Sequence, residues 1–433
     1  MLNQYAPRIR RLALEGGWIV AGQAASVVGS LMLIRVLTAH LNPTQYGQLA
    51  LGLTVATLVS QLVMGGVINA IGRFFAVAAA QQTLSVYLRA SRQLMLQGTL
   101  AVLVIVVGVV VGLIGWNANQ WIPISLAALF FSVLSSYNAA LSGIQNAARQ
   151  RAIVALHSGL DAWLKILLSW IVLHYWGASG TAVVLAYGFS ALLVTGSQLR
   201  MLRRVMPADQ QVFNPVDLAA WRSRMWRYSW PFASWGIFTW LQLVSDRWAL
   251  EVFASTEDVG FYTVLFQIGM TPITIAATAT MSFLGPILYG RSGDAQDAAR
   301  NTNVRQITLK VTWVTLSLTL LGFLIAFWLH SWVFRCIVDA KYGSASYLLP
   351  WMVLAGGVVA TGQILALKLM SDMKPGAMAQ AKIVTALVGV GLNALGAAYA
   401  GLVGVVAAQL VFSFVYLAWM VRLAFHAKST IKP

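Results

Sequence analysis

Residues 93–114 read QLMLQGTLAVLVIVVGVVVGLI, a run without a single charge. Coiled as a helix it is about 33 Å long, enough to cross the roughly 30 Å hydrocarbon core of a bilayer. Similar runs recur near residues 12–38, 46–72, 86–114, 121–146, 152–174, 179–201, 228–253, 259–289, 305–330, 346–371, 377–399 and 402–424. About twelve spans of some 20 residues take about 240 to 270 positions, which leaves loops of about a dozen residues each and no room for a large extramembrane catalytic domain. Of the 433 residues, 59% are hydrophobic and 9% charged, against roughly 45–50% and about 25% in soluble domains, so a water-soluble fold is excluded. The expected class is an all-α integral membrane protein with about 12 transmembrane helices.

Cys336 is the only cysteine, so no intramolecular disulfide can form. No Cys/His ligand cluster offers a zinc site, and neither a metal nor a cofactor is expected. Arg8, Arg10 and Arg11 precede an apolar stretch from Leu12 to Leu37, too long for a signal-peptide core and without a convincing cleavage site, which reads as a retained first span. With a cytoplasmic N-terminus, about 23 of the 29 basic residues fall in inner segments and about two, Arg335 and Lys341, in outer loops. That asymmetry predicts both termini inside. It accounts for most of the net charge of +17 without nucleic acid, while leaving inner basic loops able to touch anionic membrane lipids. Trp116, Trp121, Trp176, Trp328 and Trp332 cluster near span ends, as interfacial anchors do.

The longest inner loop divides the chain into an N-terminal six-helix lobe over 1–201, a cytoplasmic linker over 202–227 and a C-terminal six-helix lobe over 228–433. Within the linker, Asn214-Pro215-Val216-Asp217 reads as a helix cap with Pro at the first helical position. Leu218, Trp221 and Met225 then recur at helical spacing opposite Arg222 and Arg224. This pattern suits a short helix lying on the inner membrane surface, or a solvated basic linker that happens to contain tryptophan. Arg35 and Arg247, Thr44 and Thr256, and Gln45 and Glu257 are each 212 apart, and one inserted residue brings Gly47 onto Gly260. Such halves of six spans each would be parallel repeats about an axis along the membrane normal.

The run from Arg35 through Tyr46-Gly47, the segment Met64-Gly65-Gly66-Val67-Ile68-Asn69 leading to Arg73, and Val244-Ser245-Asp246-Arg247 leading to Val259-Gly260-Phe261-Tyr262 resemble the polysaccharide transporter family. These are Wzx-type flippases of lipid-linked oligosaccharides, in the superfamily that also holds multidrug extrusion transporters and lipid II flippases. The resemblance implies two six-helix lobes around a central cavity that opens alternately to either side. It also implies a bacterial inner-membrane location, an undecaprenyl pyrophosphate-linked oligosaccharide as cargo, and a place among other polysaccharide assembly proteins. A pyrophosphate and several sugars cannot cross hydrocarbon unaided, because each stripped charge and hydrogen bond is costly.

Asp161 and Lys165 lie one turn apart near the middle of span five. They read either as a mutually neutralising packing pair or as a cavity cation for pyrophosphate with its release partner; Asp161 could also carry a coupling proton. Asp246, Arg247 and Glu251 occupy the outer half of span seven, with Arg35 at the corresponding end of span one. They read as an outer-gate network or as arginines snorkelling to head groups. Lys368 with Asp372, at the inner end of span ten, and Arg73, at the inner end of span two, are further candidates for meeting the pyrophosphate or for simple interfacial placement. Pro272 near the middle of span eight, with Gly269 before it, predicts a kink that serves as a hinge or only in packing.

No Gly-x4-Gly-Lys-Ser/Thr run is present, so ATP has no phosphate loop here. A membrane glycosyltransferase or polymerase would need clustered carboxylates on a long outer loop, and none is found. A multidrug antiporter on the same fold would favour a cavity dominated by acids and aromatics, whereas Lys165, Arg247, Arg35 and Lys368 suit an anion.

Overall fold

The structure, a computed structural model, describes residues 2–205, 215–292, 297–371 and 375–426. Thirteen α-helices follow one another among them: α1 (Leu2–His40), α2 (Pro43–Val59), α3 (Gly66–Ala80), α4 (Leu84–Gly115), α5 (Ile122–Ala147), α6 (Arg151–Tyr175), α7 (Gly180–Val205), α8 (Pro215–Phe253), α9 (Thr256–Gly269), α10 (Thr271–Ser292), α11 (Ala298–Ile337), α12 (Leu349–Ser371) and α13 (Pro375–His426). No strand occurs among the described residues. The uncharged run 93–114 lies within α4, whose Leu100, Val104, Val107 and Val111 are all more than half exposed. An apolar face left uncovered over that length is what a lipid environment accepts and water does not.

The chain is an all-α membrane protein, yet the expected count of about twelve is not reached on length and apolarity alone. Nine helices qualify among the described residues, with Ala24–His40 as a shorter apolar one. Two local features explain the difference. Ile383–Phe425 counts once, although the backbone turns sharply inside it at Ala400 and Gly401, where Gly401 has φ +53°. The membrane half of α8 is rich in Trp, Ser and charge, and so is less apolar than the others.

The chain forms two units, the first made of Met1–Leu41 and Gln48–Trp240, the second of Asn42–Gly47 and Leu241–Pro433. In the first unit Met64, Ile71, Phe75, Tyr87, Leu94 and Leu129 build a core that also takes in Trp221 and Met225 from the start of α8. Trp221 meets Phe74 and Tyr87 edge-on, at 6.2 and 5.6 Å between ring centroids, and the Arg224 guanidinium lies 5.0 Å from the Phe74 ring. The apolar stripe in the linker therefore packs against protein rather than resting on the membrane surface. The reason is that Phe74 and Tyr87 offer it an aromatic pocket. The helix continues unbroken into the seventh span, and the units divide within it, thirteen residues past 227. Asn214, read as its cap, lies outside the described residues.

In the second unit α12 is the most enclosed span, with Leu365, Leu369, Phe412, Tyr416 and Met420 packed between it and α13. The six residues Asn42–Gly47 join this unit. Tyr46 is fully buried there, donates to Gln267 Oε1 at 2.7 Å and meets the Tyr342 ring edge-on at 5.9 Å. The repeat register can be read directly at this point. His40 and Phe253 end α1 and α8, Asn42 and Ser255 stand before α2 and α9, and Gly47 faces the Thr256 carbonyl just as Gly260 faces that of Pro43. Every one of these pairs is 213 apart. The spacing of 212 is thus corrected: Arg35 falls opposite Trp248 and Arg247 opposite Ile34, so the two arginines are not equivalents. Polar caps match in this register, since Asn42 Oδ1 accepts from Gln45 N–H at 2.8 Å and Ser255 Oγ from Asp258 N–H at 3.0 Å.

The basic-residue asymmetry predicts that the 291–304 loop is cytoplasmic. Ser292 is almost fully buried, so the exposed Ala299 is the better reporter. A cysteine placed at Ala299, with the exposed Cys336 replaced by Ser, is expected to stay unlabelled by a membrane-impermeant maleimide in intact spheroplasts. Labelling there would reverse the orientation.

Candidate functional site

The apolar residues Leu156, Leu160, Trp163, Leu167 and Trp170 of α6 are exposed along one stripe, spaced as one helical face. His157, Asp161 and Lys165 recur every four residues on the other side, so the charges point away from the lipid-facing stripe. Lys165 Nζ donates to Asp161 Oδ2 at 2.5 Å, with the two side chains 22% and 21% exposed. Asp161 Oδ1 accepts from Ser190 Oγ of α7 at 3.1 Å. The ammonium also lies 5.6 Å from the ring centres of both Phe131 on α5 and Tyr187 on α7, and these rings meet each other edge-on at 5.9 Å. A cation close to two aromatic rings is stabilised by their quadrupoles, and an ammonium carries three donors, of which Asp161 takes one. One turn away, buried His157 shares a hydrogen bond with Ser197 Oγ at 3.1 Å.

This polar seam continues along α5 and α7. Gln198 Nε2 donates to Ser142 Oγ at 2.9 Å, while Gln198 Oε1 and both ends of the fully buried Gln145 amide have no partner among the described residues. Buried polar groups of this kind ordinarily hold water. Phe131, Tyr187 and Ser190 were not foreseen, because they reach the site from other helices. His157 carried a signal, its four-residue spacing from Asp161.

A second polar cluster lies in the second unit. Asp246 is buried, accepts from Tyr262 Oη at 2.6 Å and from Arg247 N–H at 2.7 Å, and stands 3.6 Å from Arg247 Nη1. The Arg247 guanidinium lies 4.8 Å from the centre of the Phe266 ring and donates to the Leu243 carbonyl. Of the two acids near Arg247 on this helix, Asp246 is the one that holds it. Glu251 Oε1 instead accepts from Thr256 Oγ1 at 3.0 Å, since Asp246 already holds the guanidinium.

The other candidates are scattered. Arg35 and Arg73 are exposed on α1 and α3. Lys368 is buried, with its ammonium 5.7 Å from the Phe425 ring that Arg305 also approaches. Asp372 lies outside the described residues. Span eight is divided at Met270: α9 ends at Gly269 and α10 begins at Thr271, which places Pro272 in the first turn of α10 where its missing N–H costs nothing. Thr274 Oγ1 donates to the Met270 carbonyl at 3.0 Å. Near the corresponding level of span two, α2 gives way to a π-helical segment, Ser60–Gly65. No group of three or more His, Cys, Asp or Glu side chains that could hold a metal occurs among the described residues.

The described residues thus form a polytopic all-α membrane protein with a charged pair held inside one helix bundle. Residues 14–289 match the family of polysaccharide biosynthesis proteins, and the chain belongs to that family. Among solved structures, the fold is similar to the lipid II flippase MurJ in an inward closed conformation, with TM-score 0.70, 9% identity, and coverage of 94% of this chain and 87% of that one. It is also similar to a multidrug resistance MATE family transporter of the MOP superfamily in its inward-facing form, with TM-score 0.63, 14% identity and coverage of 93% and 98%. For an outward-facing MATE form the figures are 0.54, 15%, 94% and 95%. At these identities the likeness is one of fold. No curated protein matches the chain.

Proposed function

We propose that this protein moves an undecaprenyl pyrophosphate-linked oligosaccharide from the inner to the outer leaflet of the bacterial inner membrane by alternating access, without covalent chemistry. Both termini are cytoplasmic in this reading. The observation that carries it is Lys165, a cation inside an apolar bundle, away from lipid and framed by aromatic rings. A structural pair alone gives no reason for the two rings to be placed around the ammonium, whereas a pyrophosphate site uses a held but still donating cation. Family membership and a fold shared with a lipid II flippase support the same reading. Arg247, Arg35, Arg73 and Lys368 serve as secondary contacts along the route, with Asp161, Asp246, Glu251 and Asp372 as their counter-charges, and the break between Gly269 and Pro272 acts as a hinge. A drug antiporter on this fold would need a carboxylate open to a cationic drug, but Asp161 is already engaged by Lys165 and Ser190.

The test is purified protein in vesicles loaded on one leaflet with fluorescent undecaprenyl pyrophosphate-linked oligosaccharide. Expected is protein-dependent appearance of the glycan on the opposite leaflet, with no movement of ethidium. Movement of the drug cation without the lipid-linked sugar would assign the protein to the antiporters.

A further inference from the structure

An open cleft of about 400 Å³ lies within the second unit, between the start of α9, the 3₁₀ segment Ala340–Leu348 and the turn at Ala400–Gly401. Its chemistry comes from four side chains, Asp258, Phe261, Ser344 and Tyr347, together with the backbone of the turn. None of them takes part in either cluster described above.

Each wall is fixed by a local cause. Ser255 caps α9 and donates to Asp258 Oδ2 at 2.9 Å, so the carboxylate is oriented and Oδ1 has no protein donor among the described residues. Phe261 is held edge-on by the buried Tyr342, at 5.8 Å between ring centroids. Tyr347 is 52% exposed, with ring and hydroxyl accessible. The turn comes close to the carboxylate because Gly401 adopts φ +53°, a conformation open to glycine.

We infer that this cleft is a binding subsite for an uncharged sugar residue of the glycan, an inference that rests on the transport reading above. A pyranose carries an apolar C–H face and a ring of hydroxyls. The Phe261 and Tyr347 rings suit the face, and the Asp258 carboxylate with Ser344 suits the hydroxyls. The volume falls within the range of small-molecule sites. A carboxylate wall with no Lys or Arg in the lining repels phosphate. The cleft therefore selects the sugar end of the cargo, while the pyrophosphate end belongs with the cations.

The experiment uses full-length protein in nanodiscs and saturation-transfer NMR. The probe is the repeat-unit oligosaccharide released by mild acid from the surface polysaccharide of the cell that makes the protein. Transfer to sugar ring protons is expected from the wild type and from the control Gly108→Ala, where an added Cβ meets nothing within 4 Å. Tyr347→Ala and Asp258→Asn should each lower it about fivefold or more, as loss of one good contact does. A tenfold excess of inorganic pyrophosphate should leave it unchanged. No transfer from the wild type, equal transfer from both cleft variants, or competition by pyrophosphate would each overturn the inference. Failure of the vesicle assay with transfer intact would sink the cargo reading and leave the cleft a sugar site; flipping without transfer would sink the cleft alone.

Discussion

Gly47→Ala and Gly260→Ala are each expected to displace Asn42–Gly47 from the second unit and to reduce transport sharply. A Cβ on Gly47 would overlap the Thr256 carbonyl oxygen and lie 3.1 Å from the Gly260 nitrogen; one on Gly260 would overlap the Pro43 oxygen and lie 3.1 Å from the Pro43 Cα. These obstacles are backbone atoms of two helix starts, which cannot rotate aside as a side chain does. Overpacking of this kind costs about 1–3 kcal/mol, and a bias of that size shifts a two-state equilibrium roughly 5- to 150-fold. The cost falls on the arrangement with Asn42–Gly47 seated against the start of α9, so the variants should loosen that segment. Hydrogen exchange read by mass spectrometry should speed up in peptides covering 42–47 and 256–262. Gly108→Ala, where nothing lies within 4 Å, is the matched control and should behave as wild type. Unchanged exchange and transport in both glycine variants would show that the segment does not need its present seat.

Exchanging the charges of the pair, Asp161→Lys with Lys165→Asp, is expected to leave the protein in the membrane at near-normal amount while transport falls about tenfold or more. Truncation is less informative: Lys165→Ala leaves a partly buried carboxylate with Ser190 as its remaining donor, a loss of about 1–3 kcal/mol or more for a charged group. The exchange keeps opposite charges one turn apart and keeps Ser190 able to bond position 161. What it removes is the cation from between Phe131 and Tyr187. A charge-assisted hydrogen bond is worth about 1.5–3 kcal/mol, which corresponds to roughly 10- to 150-fold in binding. Lys165→Arg keeps the charge and should retain most of the transport. Normal export by the exchanged, well-expressed protein would make Lys165 a packing residue.

The membrane-spanning helices were legible because their signal is local. A run such as 93–114 has no stable state in water, and Pro215 with Asp217 marks a helix start from the chemistry of its first turn. Asp161 and Lys165 were legible for the same reason, since a spacing of four on one helix brings side chains together whatever surrounds it. Where neighbours compete, spacing failed. Arg247 and Glu251 satisfy the same rule but do not pair, because Asp246 and Thr256 each offer a nearer partner.

The sequence by itself determined that the chain is a bundle of membrane helices, roughly where they run, and that a charged pair falls near the middle of one of them, since hydropathy and helical periodicity act over a few turns. Only the tertiary structure decided which side chains surround those charges, that Trp221 and Met225 pack into the first unit, and that the repeat register is 213. Those outcomes depend on atoms contributed by helices far apart in sequence, such as Phe131, Lys165 and Tyr187, or Pro43 and Gly260. Their fit is fixed by close packing of shapes, which no local pattern encodes.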